Sequence, residues 1–278
     1  MTVRLPLLWH IQGDRGSPLV LLHGWGMHAG LWGAFAGRLA DQHRLWMADL
    51  PGHGQNRADA LWELDELVEQ LVHAVDEPAH WMGWSLGGAI AIRAARLFPE
   101  RVKSVVMCCA TPRFREDTGG WPGMSDVLLQ RFSGQLQQDY HVCMRRFLAL
   151  QTWGLEHAGL LAAELERGTG DLAPGPMSLA SGLHVLEASD LREDLLHLPQ
   201  AVLAIYGSRD RVVSPLLHDV LGGQPWQIAT RLVQGAGHMP FASHPDETLA
   251  MVSAFLASQD AAMSNVGWYP PGRCHEQR

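Results

Sequence analysis

The chain has 278 residues, 47% hydrophobic and 18% charged, which allows one large globular domain or two small ones and is ordinary for a globular enzyme. A net charge of −8 argues against nucleic acid as the main partner, and no apolar run reaches the length that a membrane span needs. Met1 to Pro6 lacks a signal peptide's apolar region, and Cys108, Cys109, Cys143 and Cys274 show no zinc spacing, so a cytoplasmic protein with reduced thiols and no metal is expected.

One or two short strands are expected between Val3 and Ile11. Leu19 to Leu22 is continuously apolar, as a strand buried on both faces of a parallel sheet is, and it ends in His23-Gly24-Trp25-Gly26. A helix through Trp32, Phe35 and Leu39 leads to a strand at Arg44 to Ala48 and then to Asp49-Leu50-Pro51-Gly52-His53-Gly54. Leu64, Leu67, Val68, Leu71 and Val75 have the spacing of an amphipathic helix. Ala79, Trp81 and Met82 run into Gly83-Trp84-Ser85-Leu86-Gly87, and Ala89 to Ala95 follows as a good helix former: strand, sharp turn, helix. Val102 to Met107 is a further buried strand.

From about Pro112 to Asp190 strand runs vanish and helical stretches such as Asp139 to Leu150 replace them. The earlier pattern resumes with Val202 to Tyr206, which Gly207-Ser208-Arg209-Asp210 follows. Thr230 to Val233 leads into Gly235-Ala236-Gly237-His238, and a closing helix spans about Asp246 to Ala257. Strands alternating with helices predict a doubly wound, mostly parallel α/β sheet. Its core comprises residues 1–111 and 191–260, with a helical cap, residues 112–190, inserted after the sixth strand. Residues 261–278 carry Pro270-Pro271-Gly272 and are expected to be a disordered tail.

The G-x-S-x-G turn places Ser85 in a strained conformation with its hydroxyl above the sheet, and the glycines let strand and helix approach. A serine hydroxyl is a weak nucleophile that needs a base, and the base needs an orienting group. Asp210 and His238 each stand just past a strand, in the order Ser, Asp, His. Asp49, Asp65 and Asp76 are rival carboxylates that fit a turn or an amphipathic helix better, and His244 fits the lead into the last helix. The N–H groups of Leu86, at the start of a helix, and of Trp25, in the early glycine turn, are candidate oxyanion donors. No cofactor is expected, because G-x-G-x-x-G is absent at the first strand turn.

Leu21 to Gly26, Asp49-Leu50-Pro51-Gly52, Gly83 to Gly88, Asp190-Leu191-Arg192 and Ser243-His244-Pro245 resemble the motifs of the α/β-hydrolase superfamily. Arg146-Phe147-Leu148-Ala149-Leu150-Gln151-Thr152 narrows the resemblance to the pimeloyl-[acyl-carrier protein] methyl ester esterases of biotin synthesis. That resemblance implies a serine carboxylesterase with substrate contacts at Trp25, Ser85, Leu86, Phe147, Leu148, Ala149, Leu150, Gln151 and His238. It also implies contact of Arg146 to an acidic acyl-carrier protein; Gly159 and Ala163 stand where the family carries further arginines, and Arg145, Arg113 and Arg115 are the candidates to take their place. A monomer is expected. Fold and triad do not choose the leaving group, so a broad carboxylesterase, a C–C bond hydrolase, an acyltransferase and a non-catalytic receptor stay open on the residues alone.

Overall fold

Apolar runs such as Leu19 to Leu22 can bury both faces only inside a sheet covered on both sides. In the computed structural model, which describes residues 7–153, 173–223, 225–226 and 228–266, these runs are the central strands of one seven-stranded sheet. The strands are β1 (Leu8–Gln12), β2 (Pro18–Leu22), β3 (Arg44–Asp49), β4 (Ala79–Trp84), β5 (Val102–Cys108), β6 (Ala201–Gly207) and β7 (Ala229–Val233). Their order is β1-β3-β2-β4-β5-β6-β7, with β1 antiparallel to β3 and every other pair parallel. Strand order reverses between β2 and β4, and in such a sheet the crevice for a ligand opens at the carboxyl ends there. The early glycine turn follows β2, and Ser85 follows β4.

The described helices are α1 (Gly33–Leu39), α2 (Leu64–Ala74), α3 (Leu86–Leu97), α4 (Asp126–Gln138), α5 (Tyr140–Gln151), α6 (Pro176–Ala188), α7 (Arg192–Leu196), α8 (Leu217–Gly222), α9 (Pro240–Ser243) and α10 (Pro245–Val266). Two groups cover the sheet: α1 with α10, which packs on β5 to β7, and α2 with α3 and α7, α3 lying on β2, β4 and β5.

The sequence places the helical insertion after the sixth strand; among the described residues it follows the fifth, because β1 alone precedes β2. The insertion docks through two buried serines of α6. Ser178 N donates to Asp59 Oδ1 at 2.9 Å, and Ser181 Oγ accepts from Trp62 N at 2.9 Å.

The closing helix continues past Ala257, where its apolar periodicity ends, to Val266. Residues 261–266 are therefore helical, where a tail is expected, and residues 267–278 lie outside the described residues. The extension has a physical anchor at the amino ends of the strands. Buried His80 bonds Ser104 Oγ through Nδ1 at 2.7 Å and Asp260 Oδ1 through Nε2 at 3.1 Å. Ser17 Oγ donates to the same carboxylate oxygen at 2.6 Å, and Lys103 Nζ donates to Ser17 Oγ at 3.0 Å.

Burial works to raise the Asp260 pKa, but these partners prevail and hold it well below the ordinary 3.8. A depressed carboxylate contributes stability above its unfolded pKa and loses it as pH falls through the folded value. Asp260→Asn is thus expected to cost about 1–3 kcal/mol near pH 7. In thermal melts the gap to the parent should shrink as pH drops below 3.8. An unchanged melting temperature at pH 7 would show that the network is incidental.

Candidate active site

Ser85 is the single residue between β4 and α3. It has φ 54° and ψ −117°, a region that a residue with a Cβ occupies only under constraint. The constraint is visible in the neighbouring glycines: a Cβ on Gly83 would lie 2.0 Å from Gly87 O, and one on Gly87 2.3 Å from Leu22 O. Ser85 N donates to Cys108 O at 3.0 Å, which ties the elbow to the end of β5.

Asp210 follows β6 in a tight turn. Its Oδ1 accepts from Val212 N at 2.8 Å and Val213 N at 3.0 Å, which stops the carboxylate from rotating. Its Oδ2 meets His238 Nδ1 at 2.8 Å, and both side chains are fully enclosed. With Nδ1 donating to Asp210, the lone pair is on Nε2, which is buried and has no partner among the described residues. That nitrogen can accept a serine proton. Burial works against a charged ring here, but the Asp210 carboxylate outweighs it and lifts the His238 pKa above its ordinary value. An imidazolium at this position is stabilised accordingly.

The histidine is braced through its main chain as well. His238 O accepts from Trp84 Nε1 at 2.8 Å, and His238 N donates to Gln151 O, the last residue of α5, at 3.3 Å. Trp84 precedes Ser85, so one indole links the nucleophile's strand to the base.

The early glycine turn sits on the serine: a Cβ on Gly24 would lie 3.2 Å from Ser85 Cβ. His23 holds the turn, donating from Nδ1 to Gly24 O at 2.8 Å and accepting at Nε2 from Leu50 N at 3.1 Å. Burial, with the nearby His53, keeps its pKa at about 3, so the ring stays neutral and both bonds persist. Asp49, a rival carboxylate in the sequence, is committed elsewhere: it accepts from Ala29 N, Gln55 N and His10 Nε2. Leu86 opens α3, so its N–H has no acceptor within the helix and is free to meet an oxyanion. The Trp25 N–H, in the turn above, is the second donor the site can offer.

Over the site, Trp25 Nε1 donates to Leu179 O at 2.9 Å, and the indole meets Phe132 and Phe147 edge-on. A Cβ on Gly182 of α6 would stand 2.8 Å from Trp25 Cδ1, so that glycine sets how closely the insertion descends. The structure divides the Phe147 to Gln151 stretch. Phe147 packs on Trp25, and Leu148 and Gln151 are buried, whereas Ala149 and Leu150 are exposed. Five consecutive helical residues cannot share one face, and these obey the helical period. Arg145 and Arg146 are exposed on α5; Arg113 pairs with Asp190 and Arg115 with Asp126. Asp139, one possible partner of Arg146, caps α5 by accepting from Val142 N at 3.0 Å; Glu156, another, lies outside the described residues.

Sequence reasoning passes over Cys109. It lies beside the Asp210–His238 pair, and burial pushes its thiol pKa well up. The adjoining pair Cys108-Cys109 at a strand end was its one visible signal.

Residues 19–251 match the model of the alpha/beta hydrolase family. A pimeloyl-[acyl-carrier protein] methyl ester esterase of Methylococcus capsulatus is 42% identical over 88% of this chain and 96% of its own length. One from Aliivibrio salmonicida is 36% identical over 91% and 97%. The fold is also that of an esterase from Exiguobacterium antarcticum, with a TM-score of 0.79 at 21% identity over 90% of this chain and 95% of the other. A bromoperoxidase from Bacillus anthracis is as similar, with the same TM-score of 0.79, so the backbone does not choose the reaction. Family match and near-full-length relatives together make the chain a member of the alpha/beta hydrolase family and, within it, of the pimeloyl-[acyl-carrier protein] methyl ester esterases.

Proposed function

We propose that the protein is a serine esterase that hydrolyses the methyl ester of pimeloyl-[acyl-carrier protein] to pimeloyl-[acyl-carrier protein] and methanol. The observation that carries this reading is the enclosed His238–Asp210 pair, whose Nε2 has no partner among the described residues, together with a serine held at φ 54° in the turn before α3. Ser85 Oγ attacks the ester carbonyl as His238 Nε2 takes its proton, and the N–H groups of Leu86 and Trp25 hold the oxyanion. The proton passes from Nε2 to the methoxide oxygen, and methanol leaves. Water then attacks the acyl-serine, its proton going to Nε2 and on to Ser85 Oγ, which frees the acid.

The carrier is the proposed partner, met at Arg145 and Arg146 on α5, the helix that ends at the site. We place the enzyme in the cytoplasm as a monomer acting without nucleic acid, on a core of residues 1–111 and 191–260 with the cap between. No described helix is long and apolar enough to cross a membrane.

The test of the substrate is twofold: growth without biotin of a strain that lacks its own methyl-ester esterase, and methanol release from the purified carrier-bound ester. Failure of both, with a small free ester still hydrolysed, makes the protein a general carboxylesterase. The carrier contact has its own expected result. Changing Arg145 and Arg146 to Glu should raise KM for the carrier-bound ester about tenfold or more at low salt, with a smaller effect at high salt. A free p-nitrophenyl ester needs only the pocket and should be unaffected. Equal losses on both substrates assign these arginines to the cap's own structure.

A further inference from the structure

Cys109 lies one residue beyond β5, the strand between those that carry Ser85 and Asp210. Its φ of 45° is rare for a residue with a side chain. Bonds on either side hold it there: Cys109 N donates to Ile205 O at 2.8 Å, and Tyr206 Oη donates to Ala110 O at 3.0 Å. In this conformation Sγ, a carboxylate oxygen of Asp210 and a ring nitrogen of His238 lie within 4.8 Å of one another, and all three residues are buried. Ester hydrolysis uses the last two residues and leaves the thiol idle.

Thiolate, imidazole and carboxylate are the donors of zinc sites, and bonds of about 2.0–2.3 Å set tetrahedral ligand atoms about 3.3–3.8 Å apart. The Asp210–His238 contact is 2.8 Å and the thiol lies no farther than 4.8 Å, so side-chain shifts of about an ångström seat an ion. His238 Nε2, which ester hydrolysis needs open for the Ser85 proton, is buried and without a partner among the described residues. A cavity of about 360 Å³, lined by Thr111, Met124, Arg211 and Val213, borders on Asp210, whose side chain is itself enclosed.

We propose that Cys109, Asp210 and His238 form a site for a thiophilic divalent cation, such as Zn²⁺ or Cd²⁺, whose occupation switches hydrolysis off. The cation displaces the thiol proton to water, and thiolate and carboxylate together match its two charges. If the ring binds through Nδ1, its proton moves to Nε2; if it binds through Nε2, the lone pair is spent. In both cases Ser85 loses its base. Nothing in the spacing of the three residues along the chain announces such a site, because the fold alone brings three separate strand ends together.

Zn²⁺ added to the full-length protein in chelator-free buffer should lower the rate on a p-nitrophenyl ester about tenfold or more, with recovery on EDTA. Cys109→Ser should raise the half-inhibiting concentration about tenfold or more, each curve being normalised to that protein's own metal-free rate. Binding is read separately on Ser85→Ala, where Cd²⁺ should give an ultraviolet thiolate-to-metal absorption band. The band should survive replacement of Cys108, Cys143 and Cys274 by Ser and disappear with Cys109. This second reading needs no hydrolysis, so the site can fail while the esterase assignment stands, and the reverse. Unchanged Zn²⁺ sensitivity of Cys109→Ser overturns the proposal. So does the lack of a Cd²⁺ band in the chain that keeps Cys109 alone, which decides the matter should Cys109→Ser not fold.

Discussion

Ser85→Ala is expected to lower kcat/KM on a small ester by about 10⁴-fold or more, while the melting temperature stays close to the parent's. The hydroxyl is the only group removed, and in the described structure its turn is held by backbone bonds and glycine contacts that alanine leaves in place. Asp210→Asn should cost about 10⁴-fold by a different route. Asparagine can still accept from Val212 N and Val213 N through Oδ1, but its NH₂ would then face His238 Nδ1. The ring must carry its proton on Nε2 to be satisfied, and a protonated Nε2 cannot take a proton from serine. Near-normal rates for Asp210→Asn on a p-nitrophenyl ester would mean that another carboxylate orients the base.

The largest expected effect on stability comes from Gly83→Ala. Its new Cβ would sit 2.0 Å from Gly87 O and 2.3 Å from Gly88 N, both backbone atoms of the first turn of α3. No rotamer relieves such a clash, so β4 and α3 must separate at the centre of the core. A loss of about 4 kcal/mol or more is expected, enough to take most of a domain's marginal stability. Soluble yield and thermal melts check it. Gly134→Ala is the contrasting case. It lies in α4 with nothing within 4 Å of its would-be Cβ, and alanine there should add about 0.5–1 kcal/mol. If both variants melted like the parent, the close approach of helix and strand at Gly83 would have no energetic weight.

The parallel sheet and the order of Ser85, Asp210 and His238 were legible because apolar runs have no other use and because each candidate stood at a strand end. Local pattern failed where tertiary contacts decided. The closing helix outlasts its apolar period because Asp260 is fastened beneath the sheet to His80 and Ser17, and neither partner is near it in sequence. Ala149 and Leu150 followed from a contiguous motif, but a helix turns such residues outward. Cys109 escaped because a positive φ on a residue other than glycine leaves no trace in composition. His23 was read only as part of a turn motif; its two opposed hydrogen bonds appear once Leu50 is brought beside it.

The trio of Ser104, His80 and Asp260 bears on what makes a triad reactive. It has the same three residue types as the site at the other end of the sheet, but its ring is turned about: Ser104 meets Nδ1 at 2.7 Å and Asp260 meets Nε2 at 3.1 Å, whereas Asp210 meets Nδ1 of His238. β4 even contributes to both, supplying His80 near its start and leading into Ser85 at its end. Yet Ser104 is wholly buried within β5, with no exposed surface for an acyl group to approach. One arrangement works as a rivet, and the other is the one we propose as a reagent. The difference lies in the backbone around the hydroxyl: inside a strand the neighbouring N–H groups belong to the sheet, whereas at a positive-φ turn before a helix they are left unspent for a developing charge.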